Sequence, residues 1–256
     1  MDFDKIGAQL ADARQRSVKL DAYPTEAPFG LNEAYQIQDA MIRSMSAPVV
    51  GWKIGLTSQA SQDMLGVTEP MSGPLFEGSV FGNNAELAVS ETDLRIVEAE
   101  IGLTLGADLI TDKAAFTQSD VLPAIATVHP MFELATKRLP GGMRETAQWI
   151  VADGGINQAV VVGKGTAFSP EVDMALVKAQ VSVNDRPVSE GIGANVMGSP
   201  IAAMVWLADH LKSRNIRLKK GDFIATGLVC DMLVGQSGDQ FLAEFDGIGS
   251  VTMRLS

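Results

Sequence analysis

The sequence predicts a β-rich α+β fold, a rolled sheet or barrel preceded by a helical segment. Three observations carry this. Helical periodicity dominates only residues 1–48. From Val49 the texture changes to short strand-like runs separated by glycine turns. Strands and helices beyond that point do not alternate strictly, which argues against doubly wound and (β/α)₈ folds.

In the first segment, Ile6, Leu10, Ala13 and Val18 mark one helix, and Ala34, Ile37, Ala40, Met41 and Met45 a second. Asn32 is the expected N-cap of the second, with Glu33 at its positive end. Pro24, Pro28 and Gly30 separate the two. This segment carries no catalytic constellation and reads as a cap or packing arm on residues 49–256, which form one integrated unit. Val49–Thr57 reads as a strand, residues 58–65 as a short helix ended by Gly66, and 66–92 as a series of Gly, Pro and Asn turns. Arg95–Leu105 is the clearest strand. Ser119-Asp120 opens a helix with Pro123 in its first turn. Residues 158–163 and 176–183 read as strands. Ser199-Pro200 pairs an N-cap with proline at the first helical position, and the helix buries Ile201, Met204, Val205, Ala208 and Leu211. Four more strands follow: Phe223–Thr226, Met232–Val234, Phe241–Phe245 and Ser250–Leu255.

Composition narrows the function. A chain of 256 residues, 46% apolar and 20% charged, can bury a sizeable core. The sequence has no apolar window of membrane-spanning length and no basic, apolar leader at its start. A net charge of −11 repels a phosphate backbone, so nucleic acid is not an expected partner. Cys230 is the only cysteine, which excludes an internal disulfide and a cysteine-rich zinc site and fits a reducing cytoplasm. It reads as a small buried hydrophobe. His129 and His210 form no motif, and His210 reads as an exposed residue late in a helix.

The chemistry concentrates in Arg95–Leu105. A strand has period two, so Val97, Ala99, Ile101, Leu103 and Leu105 share one apolar face, and Glu98, Glu100, Gly102 and Thr104 share the other. Two carboxylates side by side repel, and solvent, basic partners or a metal must offset that. Gly102 on the same face leaves room above them. Glu133 is a third acid, set between Phe132 and Leu134. Three carboxylates suit a hard cation, Mg²⁺ or Mn²⁺, better than Zn²⁺.

An ordered set of motifs extends this reading. Gly51-Trp52-Lys53-Ile54-Gly55-Leu56-Thr57, Gly66-Val67, Pro70, Gly73-Pro74-Leu75-Phe76, Glu98-Ala99-Glu100-Ile101, Pro130 with Glu133, Val151-Ala152-Asp153, Gly198-Ser199-Pro200-Ile201, Ala225-Thr226-Gly227 and Gly247-Ile248-Gly249-Ser250-Val251 occur in that order. Together they resemble the 2-oxopent-4-enoate hydratase and 4-oxalocrotonate decarboxylase group of the fumarylacetoacetate hydrolase superfamily, over residues from about 35 to 256. The resemblance implies a mixed β-roll, Mg²⁺ or Mn²⁺ on Glu98, Glu100 and Glu133, and a 2-oxo acid substrate. It also implies a homo-oligomer acting in meta-cleavage degradation of aromatic compounds.

The expected reaction is hydration of 2-hydroxy-2,4-dienoates to 4-hydroxy-2-oxo acids. Decarboxylation of 4-oxalocrotonate-like acids and carbon–carbon hydrolysis of acylpyruvates are the alternatives, because all three use one electron sink. A protein that binds metal and 2-oxo acid without turnover is the non-enzymatic alternative. Lys53 is implied as the cation for the substrate carboxylate or enolate, or as a proton donor. Leu75, Ser199 and Thr226 are implied substrate contacts, and Asp153 is expected to orient Lys53 or a water. The run Gly191–Gly198 reads as a tight connection near the site rather than a nucleotide loop. Two positions depart from the group's pattern. Gly78 stands where an acid–base carboxylate is expected, which leaves Glu77 as its substitute from one residue away. Ala135-Thr136-Lys137-Arg138 replaces an Asp-Ser-Arg-like run.

Overall fold

The structure, a computed structural model, describes every residue except 27–29, 90–94, 112 and 142–144. Among the described residues the helices are α1 (Phe3–Gln15), α2 (Leu31–Ser44), α3 (Gln59–Leu65), α4 (Gln118–Val121), α5 (Ala147–Ala152) and α6 (Pro200–Ser213). The strands are β1 (Val49–Gly55), β2 (Met71–Phe76), β3 (Val80–Gly82), β4 (Ala85–Leu87), β5 (Ile96–Leu105), β6 (Ile125–Ala135) and β7 (Asn157–Val162). They continue with β8 (Thr166–Ala167), β9 (Lys178–Val183), β10 (Arg186–Ile192), β11 (Phe223–Leu228), β12 (Leu233–Val234), β13 (Gln240–Phe245) and β14 (Gly249–Leu255).

Nine strands form one mixed sheet in the order β2-β1-β11-β5-β6-β7-β3, with β12 beside β5 and β8 beside β6. Five form a second, β10-β9-β13-β14-β4. The predicted period-two face of β5 is the main core: Val97, Ala99, Ile101, Leu103 and Leu105 are buried with Val181, Phe241, Ala243, Val251 and Met253 of the second sheet and with Met204, Leu207 and Leu211 of α6. The other face of the large sheet curls inward. Leu75 of β2 packs with Met131 of β6, Val160 of β7, and Phe223 and Ala225 of β11, so strands far apart in the order meet across an interior. The predicted rolled, β-rich α+β architecture is the one observed.

The N-terminal helices cover one end of this roll. Ile6 and Leu10 of α1 and Ala34, Ile37 and Met41 of α2 pack with Trp149, Ile150 and Val151 of α5 and with Met71 and Phe76 of β2. Gln38 fastens the layer by donating to the carbonyls of Ser72 and Val151, 2.9 and 2.8 Å away.

Several local expectations change. The N-cap of α2 is Gly30, not Asn32, because Glu33 reaches back from the third helical position to accept the Gly30 N–H. Pro28, expected in the same linker, lies outside the described residues. The turn-rich stretch 66–92 contains three strands, with residues 90–92 outside the described set. Gly73 and Pro74 sit inside β2, which ends the sheet order, where a proline costs no ladder hydrogen bond on its open side. The helix placed at Ser119 starts earlier and is short. Thr117 is its N-cap, Asp120 accepts from the Thr117 N–H at 2.9 Å, and Pro123 falls in a following 3₁₀ turn. Strands β6 and β10 and helix α5 were not assigned from the sequence.

Candidate metal centre

In the ladder between β5 and β6, Glu98 stands directly opposite Glu133 and Glu100 opposite Met131. All three glutamates therefore project from the inward face. One carboxylate oxygen from each lies within 4.8 Å of the others. Glu100 and Glu133 are fully buried, and Glu98 is half-buried.

Lys53 comes from β1, two strands from β5 and three from β6, and its Nζ stands 3.2 Å from Glu133 Oε1. It also donates to the Gly155 carbonyl at 3.4 Å. Asn157 donates to the same Glu133 oxygen at 3.0 Å, and the Gly227 N–H donates to Glu100 Oε2 at 2.8 Å. Glu100 Oε1 and Glu133 Oε2 are buried with no hydrogen-bond partner among the described residues. A buried carboxylate oxygen without a donor costs about 1–3 kcal/mol or more. Two such oxygens in one acidic cluster fit a hard divalent cation.

The electrostatics agree. Burial pushes Glu98 up to about 7, opposed by Lys53 and reinforced by Glu133. Burial, Glu133 and Glu98 hold Glu100 well above the carboxylate range, against Lys53 and the Gly227 amide. Burial works against the Lys53 ammonium, but Glu133, Glu98 and Glu100 outweigh it and raise its pKa, so it stays charged. One ammonium does not neutralise two buried carboxylates and a half-buried third, and a dication on their free oxygens would.

Glycines shape the site. Strand β11 bulges between Ala225 and Leu228, which turns the Gly227 N–H toward Glu100 at φ +120°. A Cβ on Gly155 (φ +72°) would lie 3.0 Å from Lys53 Cδ, and one on Gly73 2.1 Å from the Gly154 carbonyl. Only glycines let the 154–155 backbone pass between β2 and the lysine. Gly102 serves differently from its expected role. The space above it is filled by the Phe223 ring and the Met131 sulfur, 2.5 and 3.1 Å from where a Cβ would sit.

The other expected residues divide. Leu75 lies in the interior wall with Met131, Val160 and Phe223. Thr226 is buried and donates to the Ile101 carbonyl at 2.6 Å. Ser199 caps α6, accepting the Ile201 N–H at 3.2 Å. The connection before it touches the end of the β1 segment, where the Met197 N–H donates to the Thr57 carbonyl. Asp153 has a different partner from the expected one: its Oδ1 pairs with Arg138 Nε at 2.9 Å, not with Lys53. Glu77 is exposed in the turn after β2, with no hydrogen bond or ion pair to the cluster among the described residues. Gly78 has φ +85° with nothing near its missing Cβ, so a tight turn explains that glycine.

Sequence reasoning missed three residues behind the glutamates. Arg138, seen only as a departure from a family pattern, is buried and also donates to Gln158 and to the Asn157 carbonyl. Arg14 of α1 is buried and donates to Asn157 Oδ1 at 3.1 Å. The signal for Arg14 was present: it follows Leu10 by four residues and so falls on the apolar face of α1. Asn157 opens β7 and carried no signal. Elsewhere, His210 is not exposed as expected. It stacks on Trp206 and leans on Tyr35, and burial, with Arg214 nearby, lowers its pKa to about 4. Cys230 is buried as expected, its thiol pushed up to about 11 by burial and by Asp231 and Glu190. No helix among the described residues is long and apolar enough to cross a membrane.

Comparison with known proteins places this geometry. The model of the fumarylacetoacetate (FAA) hydrolase C-terminal family matches residues 64–256. The chain is 36% identical over 241 residues to a 2-keto-4-pentenoate hydratase of Paraburkholderia xenovorans (strain LB400), covering 90% of this chain and 85% of that one. It is 31% identical over 252 residues to a 2-hydroxyhexa-2,4-dienoate hydratase of Comamonas testosteroni, covering 96% and 93%. Its fold is similar to that of 4-oxalocrotonate decarboxylase from Pseudomonas putida G7 complexed with magnesium and adipate, with a TM-score of 0.89, 25% identity, and 99% and 97% of the two chains covered. The same decarboxylase has also been solved with calcium and acetate. A family model covering most of the chain, joined to 36% identity with a hydratase over 90% of it, identifies this protein as an enzyme of the fumarylacetoacetate hydrolase family.

Proposed function

We propose that the protein is a divalent-metal-dependent hydratase that converts 2-hydroxy-2,4-dienoates to 4-hydroxy-2-oxo acids in the meta-cleavage degradation of aromatic compounds. The observation that carries the reading is the triad Glu98, Glu100 and Glu133, with free buried oxygens beside the charged Lys53. Identity to hydratases along most of the chain supports the choice of reaction.

Glu98, Glu100 and Glu133 would hold Mg²⁺ or Mn²⁺, which when bound supplies Lewis-acid stabilisation of the negative charge that tautomerisation places on the 2-oxo end. The chain's own groups do the rest. Lys53 presents a fixed ammonium to the substrate carboxylate or enolate oxygen, and the Gly154-Gly155 backbone keeps that ammonium from swinging away. Leu75 packs with Met131, Val160 and Phe223 in the apolar interior of the roll and would offer the diene an apolar contact. Thr226, inside strand β11, and Ser199, at the start of helix α6, are the further substrate contacts of this reading, each with a hydroxyl that also bonds the protein. Asp153 acts through Arg138, which also grips the Asn157 carbonyl behind the site. Glu77, the acid–base residue expected from the sequence, is exposed in the turn after β2 and makes no hydrogen bond or ion pair to the triad among the described residues, so it could serve only if that turn moved toward the substrate. Unchanged turnover in Glu77→Gln would remove it. A homo-oligomer in a reducing cytoplasm completes the proposal, in keeping with the single buried thiol.

A second reading, decarboxylation of 4-oxalocrotonate-like acids, is favoured by the full-length structural likeness to a decarboxylase. One panel separates them. Purified protein with Mg²⁺ or Mn²⁺ is offered 2-hydroxypenta-2,4-dienoate and 4-oxalocrotonate, following ultraviolet absorbance and released CO₂. The hydratase reading expects rapid bleaching of the dienoate. CO₂ release from 4-oxalocrotonate with an inert dienoate would replace it by the second.

A further inference from the structure

Glu133 has two tasks in this site, and they need different oxygens. Oε1 receives both Lys53 Nζ and Asn157 Nδ2, while Oε2 is left buried and without a partner among the described residues. The division depends on which end of the Asn157 amide faces the glutamate. An amide has a donating and an accepting end of nearly the same size. Turned the other way, Asn157 would set its oxygen against a carboxylate oxygen and repel it.

What fixes the amide is Arg14. Its Nη2 donates to Asn157 Oδ1 at 3.1 Å. A guanidinium only donates, so it pairs with the accepting oxygen end alone and leaves the NH₂ for Glu133. Arg14 is itself held in place. It is 7% exposed, and its guanidinium lies over the Phe76 ring at 5.0 Å. The Asn157 backbone is held independently, by Arg138 Nη2 on its carbonyl at 3.1 Å.

We infer that Arg14, on the first helix of the chain, is a positioning residue for the metal centre: through Asn157 it orients Glu133 so that one oxygen pairs with Lys53 and the other is presented to the ion. The N-terminal segment is then part of the site's architecture and not only a packing arm. The inference rests on the metal reading above.

Mn²⁺ affinity, measured by calorimetry on the full chain, tests it without reference to turnover, with circular dichroism and thermal unfolding as checks on folding. Asn157→Ala is expected to weaken Mn²⁺ binding by roughly ten- to a hundredfold, the usual cost of losing a group that orients a ligand. Arg14→Met is expected to weaken it comparably, Arg14→Lys to recover much of the loss, and the Arg14→Met/Asn157→Ala pair to be no worse than either alone, because the two act in series. A folded Asn157→Ala protein with affinity within about twofold of the parent would overturn the inference, whether or not Arg14→Met folds. So would additive losses in the pair. Failure of the parent protein to bind Mn²⁺ is a different result: it would overturn the metal reading itself, and the inference with it.

Discussion

Lys53 and Glu133 form a buried ion pair, 3.2 Å from Nζ to Oε1, across strands that are not neighbours in the sheet. Strands β11 and β5 lie between theirs, so the pair exists only because the sheet rolls. Breaking a buried pair by removing one partner typically costs about 3–5 kcal/mol, since the other charge is left uncompensated. Lys53→Met should therefore lower unfolding free energy by a few kcal/mol and abolish turnover. Part of the stability should return on adding Mg²⁺, whose charge replaces the ammonium's. Urea unfolding with and without metal measures both, and parental stability without metal would show that the pair contributes little.

Glu98→Gln and Glu100→Gln should have the opposite effect on the metal-free protein. Each removes a carboxylate whose charged form burial and like-charged neighbours disfavour. The metal-free variants are expected to melt a few degrees higher than the parent, and to lose both metal affinity and turnover by at least tenfold. Thermal melts paired with Mn²⁺ titration check this. A variant that keeps the parental metal affinity would rule that residue out as a ligand.

The pH dependence follows from the same shifts. A carboxyl whose folded pKa is raised binds its proton more tightly in the folded state, so its contribution is fully present below the unfolded pKa and is lost as pH rises through the folded one. For Glu98 that window runs from the usual value of 4.5 to about 7. Metal-free stability should decline across it. Metal affinity should rise over the same window, because the ion competes with the proton. Calorimetry in buffers of different ionisation enthalpy should detect proton release on Mn²⁺ binding near pH 6. Proton-independent binding from pH 5.5 to 7.5 would contradict the shifts.

Gly155→Ala probes the backbone over Lys53. The residue has φ +72°, and the new methyl would sit 3.0 Å from Lys53 Cδ. Strain in the left-handed region costs about 1 kcal/mol or more, and the lysine must also move. A drop in melting temperature together with a fall in kcat is expected. A fall in stability with kcat unchanged would show that Lys53 tolerates displacement.

Much of the fold was legible because burial periodicity is local. The two-residue period of β5, the Ser199-Pro200 start of α6 and the last strands of the chain all appear where the pattern put them. Strand β2 was hidden because Gly73 and Pro74 look like turn residues. They are tolerated for reasons that lie elsewhere in the chain: β2 ends the sheet order, and the Gly154 backbone needs the room.

By itself, the sequence determined that Glu98 and Glu100 share one face of a strand, that the opposite face is core, and, through its ordered motifs, the family. Only the tertiary structure decided that the acidic face turns inward and meets Glu133, that one lysine is set against three carboxylates, that Asp153 belongs to Arg138, and that Arg14 reaches Asn157 from 143 residues away. The physical reason is the range of the forces. Side-chain periodicity is set by neighbouring peptide units and can be read along the chain. Burial, hydrogen-bond pairing and charge compensation depend on which distant segments the rolled sheet brings within a few ångströms.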